Sequence, residues 1–136
     1  MNSYTITTTL TRPYEATVAM VREALGEQGF GIVTEIDLKA ALKTKLDVDV
    51  APQVILGACR PALAYEAITA EPSIAAILPC NVVVRALNED ATIVEAFDPD
   101  AMMGLADSDA LSAVAADAKQ RITAALTSLN ASEGDH

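Results

Sequence analysis

The chain has 136 residues, 51% of them hydrophobic and 21% charged. That balance excludes a disordered tail, a collagen-like repeat and a low-complexity chain, none of which carries enough apolar side chain to build a core. Nine Lys and Arg against nineteen Asp and Glu leave a formal net charge of −10, which repels a phosphate backbone and an anionic bilayer, so neither nucleic acid nor membrane is expected as a partner.

Tyr4, Ile6, Thr8 and Leu10 alternate with Thr5, Thr7 and Thr9, a period of two in β-prone residues that predicts a strand over 4–10. Pro13 suits a first helical position because its missing N–H would be unpaired there. Tyr14, Val18, Val21 and Leu25 follow at helical spacing, and Gly26 and Gly29 mark the end, so a helix is predicted over 13–28. Gly31 to Ile36 reads as a second strand. Asp37 is placed to cap a helix over 38–46, where Leu38, Ala41, Leu42 and Leu46 recur on one stripe.

Val54 to Cys59 shows no alternation, as in a strand buried on both faces, and Pro61 opens a short helix stopped at Glu71-Pro72. Strands over 80–87 and 91–97, joined at Asn88-Glu89-Asp90, read as an antiparallel hairpin. Asp107-Ser108-Asp109 supplies a cap and negative charge for a last helix over 108–129, whose stripe is Leu111, Val114, Ala115, Ala118, Ile122, Ala125, Leu126 and Leu129. The tail 131–136 is polar and expected to fray. Together these elements predict one α+β domain over 1–130, a mostly antiparallel sheet with helices packed on one face.

The first ten residues lack the basic and apolar regions of a signal peptide, and no run approaches the 18 or so apolar residues of a membrane span. A soluble cytoplasmic protein is the expectation, and its two cysteines are expected to be reduced. The inventory excludes much chemistry. The sole histidine, His136, lies in the tail, so no histidine triad or zinc-protease site can be assembled. There is no phosphate-binding or dinucleotide-binding glycine loop, and no cofactor is implied.

Cys59 and Cys80 are the residues that could carry chemistry. Cys59 falls where a strand passes into a helix, and a helix N-terminus together with Arg60 would favour its thiolate. Cys80 opens the next long strand, so the two thiols could meet where their elements end. A redox pair, a soft-metal site and a covalent capture site are the functional readings; small buried core residues are the structural one. Glu35 is either the solvent-facing member of its strand or part of a polar site with Asp37, two residues on. Lys39 and Lys43 read as a solvated helix face, and Met102-Met103 as gap-filling side chains.

Three blocks in order, Gly29-Phe30-Gly31-Ile32-Val33-Thr34-Glu35-Ile36-Asp37, Ile55-Leu56-Gly57-Ala58-Cys59-Arg60-Pro61 and Leu78-Pro79-Cys80-Asn81-Val82-Val83-Val84, resemble an uncharacterised bacterial and archaeal family. It is the domain-of-unknown-function family catalogued under number 302. The resemblance covers about residues 4–128 and implies a TATA-box-binding-protein-like α+β fold, a curved antiparallel sheet with helices on one face, seen as a homodimer. It implies no established activity. It places Glu35, Asp37, Cys59, Pro61, Pro79, Cys80, Asn81, Asp98 and Pro99 on the family's recurring positions. Where this chain has Arg60 the family commonly has Asn, so a role resting on that amide does not transfer.

The functional expectation is a non-enzymatic cytoplasmic homodimer that binds a small ligand or a partner protein, with Cys59, Cys80, Arg60, Asn81, Glu35 and Asp37 as candidate binding residues. The alternative is a thiol redox or soft-metal site built on Cys59 and Cys80. A purely structural assembly differs from the first reading only in lacking a pocket.

Overall fold

A computed structural model describes residues 3–104 and 109–134. Five strands, β1 (Thr5–Leu10), β2 (Gly31–Asp37), β3 (Gln53–Cys59), β4 (Cys80–Asn88) and β5 (Ala91–Phe97), form one sheet in the order β1-β5-β4-β3-β2. Every neighbouring pair is antiparallel. The helices are α1 (Tyr14–Glu27), α2 (Leu38–Leu46), α3 (Pro61–Ala70) and α4 (Asp109–Gly134). The architecture is the α+β arrangement that the periodicities predict, and α4 continues past Leu129 to Gly134. Two 3-10 segments, Pro72–Ile77 and Pro99–Gly104, replace what reads in sequence as connection. Asp107, Ser108, His136 and the side chains of Met102 and Met103 lie outside the described residues.

The sheet's alternation divides its side chains cleanly. Leu10, Val54, Leu56, Ala58, Val82, Val84, Val94 and Ala96, all even-numbered, join Val21, Ala24 and Leu25 of α1 and Ile122, Ala125, Leu126 and Leu129 of α4 in one buried cluster. Alternate residues of a strand point to opposite faces, so these define an inner face under the helices. The odd-numbered residues of β1, β3, β4 and β5 define an outer face. A second cluster, Leu63, Ala67, Ile74, Leu111, Val114, Ala115 and Ala118, fills the space between α3, the 3-10 segment after it and the first half of α4. All eight residues of the predicted α4 stripe are buried.

Chain ends of the elements follow their local chemistry. The N–H groups of Gly29 and Phe30 donate to the carbonyls of Gly26 and Leu25, both at 3.0 Å, closing α1 in a Schellman motif. Gly29 sits at φ 86°, a conformation that disfavours a side chain, and the Arg60 side chain lies over it. The Asp37 carboxylate accepts from the Ala40 N–H at 2.9 Å and caps α2. α2 nonetheless buries none of its residues: Leu46 is 66% exposed. Lys39 donates to the Val50 carbonyl at 2.8 Å and Lys43 pairs with Asp47 and Asp49, which ties α2 down through its polar side.

β3 is the strand that lacked alternation in sequence. Its Val54, Leu56 and Ala58 are buried on the inner face, while Gly57 is buried on the outer face beneath Thr34 and Pro79. A Cβ at Gly57 would stand 2.8 Å from Pro79 Cγ, so only glycine leaves room for the turn that carries Pro79. The Leu78–Pro79 peptide bond is cis.

Leu126 is 4% exposed and belongs to the cluster against the sheet. Leu126→Ala is expected to cost about 2–4 kcal/mol in urea unfolding, from lost burial and the cavity left behind. A loss below about 0.5 kcal/mol would show that α4 does not cover the sheet.

Candidate functional site

The residues singled out in sequence fall into three separate places. Cys59, Arg60 and Cys80 come together: with Phe30, Ala58, Leu63 and other apolar side chains they line a cavity of about 30 Å³ between the two buried clusters. Cys59 ends β3 and Cys80 begins β4, adjacent inner strands that pair Ala58 with Cys80. The two cysteines therefore stand near each other at one end of two central strands, and both line the cavity. Cys59 lies one residue before Arg60, the N-cap of α3, and Pro61 occupies the first helical turn. A volume of about 30 Å³ admits a water or two and no organic ligand.

Glu35 and Asp37 lie elsewhere, at the β2 edge. A register shift at Val33 inserts one extra residue opposite β3, and a bulge of that kind reverses which side chains face which layer. Glu35 therefore pairs with Leu56, and Asp37 with Val54, on the inner face. There they line a cleft of about 250 Å³ with Tyr14, Glu15 and Val18. Glu35 is ion-paired with Arg22, and Asp37 caps α2, so both carboxylates already have protein partners. Burial pushes the Tyr14 phenol above its ordinary pKa, and the Asp37 charge adds to the shift.

Asn81 is one residue from Cys80 and points the other way. It lines a groove of about 500 Å³ on the outer face, with Tyr4, Thr5, Ile77, Pro79, Val83, Glu95 and Phe97. The register Thr5↔Phe97 brings β1 to β5, and Val83↔Glu95 brings β4 to β5, so the groove crosses three strands. Glu95 forms its polar floor: it accepts from Arg85 at 2.9 Å, Thr5 at 3.2 Å and Thr7 at 3.5 Å. Of these residues Asn81 is the one candidate binding residue from sequence, and Pro79 stands on a recurring family position. The signal for Thr5, Val83, Glu95 and Phe97 was the odd-numbered alternation of β1, β4 and β5, which marks a shared face once the strand order is known; Tyr4, Ile77 and Pro79 lie outside the strands.

Asp98 and Pro99, also on recurring positions, are structural. The Asp98 N–H donates to the Tyr4 carbonyl at 2.8 Å, and its carboxylate, with that of Asp100, holds Lys119 of α4. Those two carboxylates raise the Lys119 pKa. Among the described residues no group of three or more His, Cys, Asp or Glu side chains is placed to hold a metal ion, and no helix is long and apolar enough to cross a membrane.

The family model described as domain of unknown function DUF302 matches residues 6–129. The chain belongs to the DUF302 family. The crystal structure of an uncharacterized conserved DUF302 protein from Bacillus stearothermophilus superposes with a TM-score of 0.83 at 26% identity, covering 93% of this chain and 98% of that one. No curated protein matches the chain. The five-stranded antiparallel sheet with helices on one side and a C-terminal helix is thus the architecture of a DUF302 protein solved by crystallography.

Within this DUF302 chain the two thiols differ in surroundings. Burial pushes the Cys80 thiol above its ordinary value of 9.0, and Cys59 nearby adds to the shift. In the unfolded chain Cys80 ionises near 9.0; in the folded chain it keeps its proton to higher pH. Its contribution to stability is therefore whole below that value and is lost as pH rises through the folded pKa. Cys80→Ala is expected to flatten the decline in unfolding free energy between about pH 8 and pH 10. An unchanged slope in that window would place the Cys80 sulfur in water.

Proposed function

We propose that this DUF302 chain is a homodimeric binding module of the cytoplasm rather than a catalyst, and that its ligand lodges in the outer-face groove. The observation that carries this reading is size joined to chemistry. A groove of about 500 Å³ lies within the roughly 300–1,000 Å³ range of small-molecule sites, whereas the thiol cavity, at about 30 Å³, does not. Its walls are the rings of Tyr4 and Phe97 and the aliphatic side chains of Ile77 and Val83. Asn81 offers an amide that both donates and accepts. Glu95 is neutralised by Arg85 and saturated further by two hydroxyls, so the groove calls for an uncharged ligand. A small flat molecule with one amide or hydroxyl group fits these demands.

A second reading concerns the thiols, favoured by their convergence on one cavity. Disulfide formation there would join the two sulfurs, with two protons and two electrons passing to a peroxide and leaving as water. A mass two units lower in aerobically purified protein than in reduced protein would favour it.

Benzamide serves as a probe of the groove. Titration followed by nuclear magnetic resonance is expected to move the signals of Asn81, Val83 and Phe97, and Asn81→Ala to weaken binding about tenfold, as the loss of one hydrogen bond does. Shifts confined to Leu63, Ala118 and Cys80, or none at tens of millimolar, would contradict the groove as the site.

A further inference from the structure

The two edges of the sheet are built differently. β2, at one edge, is interrupted by the bulge at Val33 and carries Glu35 and Asp37, devices that keep an edge strand from pairing with another chain. β1, at the other edge, has six residues, Thr5–Leu10, with no charged side chain and no proline, and its register with β5 runs unbroken. Such an edge is a template for a further strand.

The hydrogen-bond phase of β1 follows from one contact. The Asp98 N–H donates to the Tyr4 carbonyl at 2.8 Å, so Tyr4 belongs to a bonded pair, and in an antiparallel ladder alternate residues bond the same neighbour. Ile6, Thr8 and Leu10 therefore direct their backbone groups toward β5. Thr7 and Thr9 direct theirs away from the sheet, and both residues are exposed. The Asn130 amide donates to Thr8 Oγ1 at 2.8 Å, which places α4 against the inner side of β1.

We infer that the outer edge of β1 pairs antiparallel with β1 of a second copy of this chain, about a twofold axis through Thr7. The inference rests on the homodimer reading and names its surface. In that register Thr7 meets the partner's Thr7, Thr5 meets the partner's Thr9 and Ile6 meets the partner's Thr8. Outward backbone groups meet outward backbone groups, and every side chain keeps its own face. The outer face then carries a ladder of Thr–Thr pairs, among the favourable cross-strand combinations.

Charge selects the same surface. Two copies of a chain with net charge −10 repel, but β1 brings no charge, and the carboxylate one strand inward, Glu95, is already paired with Arg85. The two five-stranded sheets become one continuous sheet of ten. An axis normal to that sheet keeps both outer faces, and so both grooves, on one side.

Sedimentation of the full chain at tens of micromolar tests this. The wild type is expected at twice 14.2 kDa. Thr7→Pro removes an outward N–H without touching the β5 ladder, and Thr7→Lys enters the interface twice as a charge. Each is expected to weaken dimerisation about tenfold or more, with a circular dichroism spectrum like that of the wild type. If Thr7→Pro fails to fold, Thr7→Lys decides alone. A wild-type dimer that both variants leave intact would overturn the β1 surface while the homodimer stands. A wild-type monomer would overturn both.

Discussion

The stripe on α4 is the interaction on which the rest of the molecule depends. Its first half, Leu111 to Ala118, closes the cluster against α3, and its second half, Ile122 to Leu129, closes the cluster against the sheet. One rigid element thus joins two cores, and the small thiol cavity lies at their seam, with Val114 and Ala118 on its α4 side. Aliphatic burial dominates because aromatics make up 4% of the chain. Burial of this kind stabilises at about 25 cal/mol per Å² of apolar surface removed from water. Lys119, held by Asp98 and Asp100, fixes the rotation of α4 relative to the end of β5.

Packing the larger buried cluster against the inner face has a consequence for function. An antiparallel sheet can hold one face against a core and leave the other toward solvent. Here the outer face keeps a groove of about 500 Å³, while the inner side is filled apart from the cleft of about 250 Å³ at the β2 edge, and the cavity at Cys59 and Cys80 is only about 30 Å³. Arg85 and Glu95, the two charged residues crossing the middle of that outer face, neutralise each other at 2.9 Å. The groove and the thiol cavity are therefore distinct spaces that meet at Pro79, which lines both.

Much of the fold was legible in the sequence because the periods were clean. The threonine alternation of β1, the α4 stripe and the β4–β5 hairpin each announced an element, and the α4 stripe also announced the residues it would bury. The stripe of α2 misled, since its helix forms through a cap and lysine contacts without burying a leucine. The 3-10 segments left no periodic trace, being too short for one. The candidate residues were harder to group. Cys80 and Asn81 are neighbours in sequence but face opposite sides of β4, and Glu35 turned inward because of a bulge that a single extra residue creates. The groove joins Thr5, Asn81 and Phe97 across three strands; that grouping follows from strand order, which no local pattern encodes.

The central claim is that β4 divides a filled inner face from an accessible outer one. In a chain lacking Cys59 and Cys80, a cysteine can be placed at Val83 or at Val84, adjacent residues of that strand, and its alkylation in the native protein timed. The account predicts that Val83→Cys, at a half-buried position open to the groove, reacts in the native protein. Val84→Cys, at a position with 0% exposure, is predicted to resist until denaturant is added. Equal protection of both, or the reverse order, would contradict it.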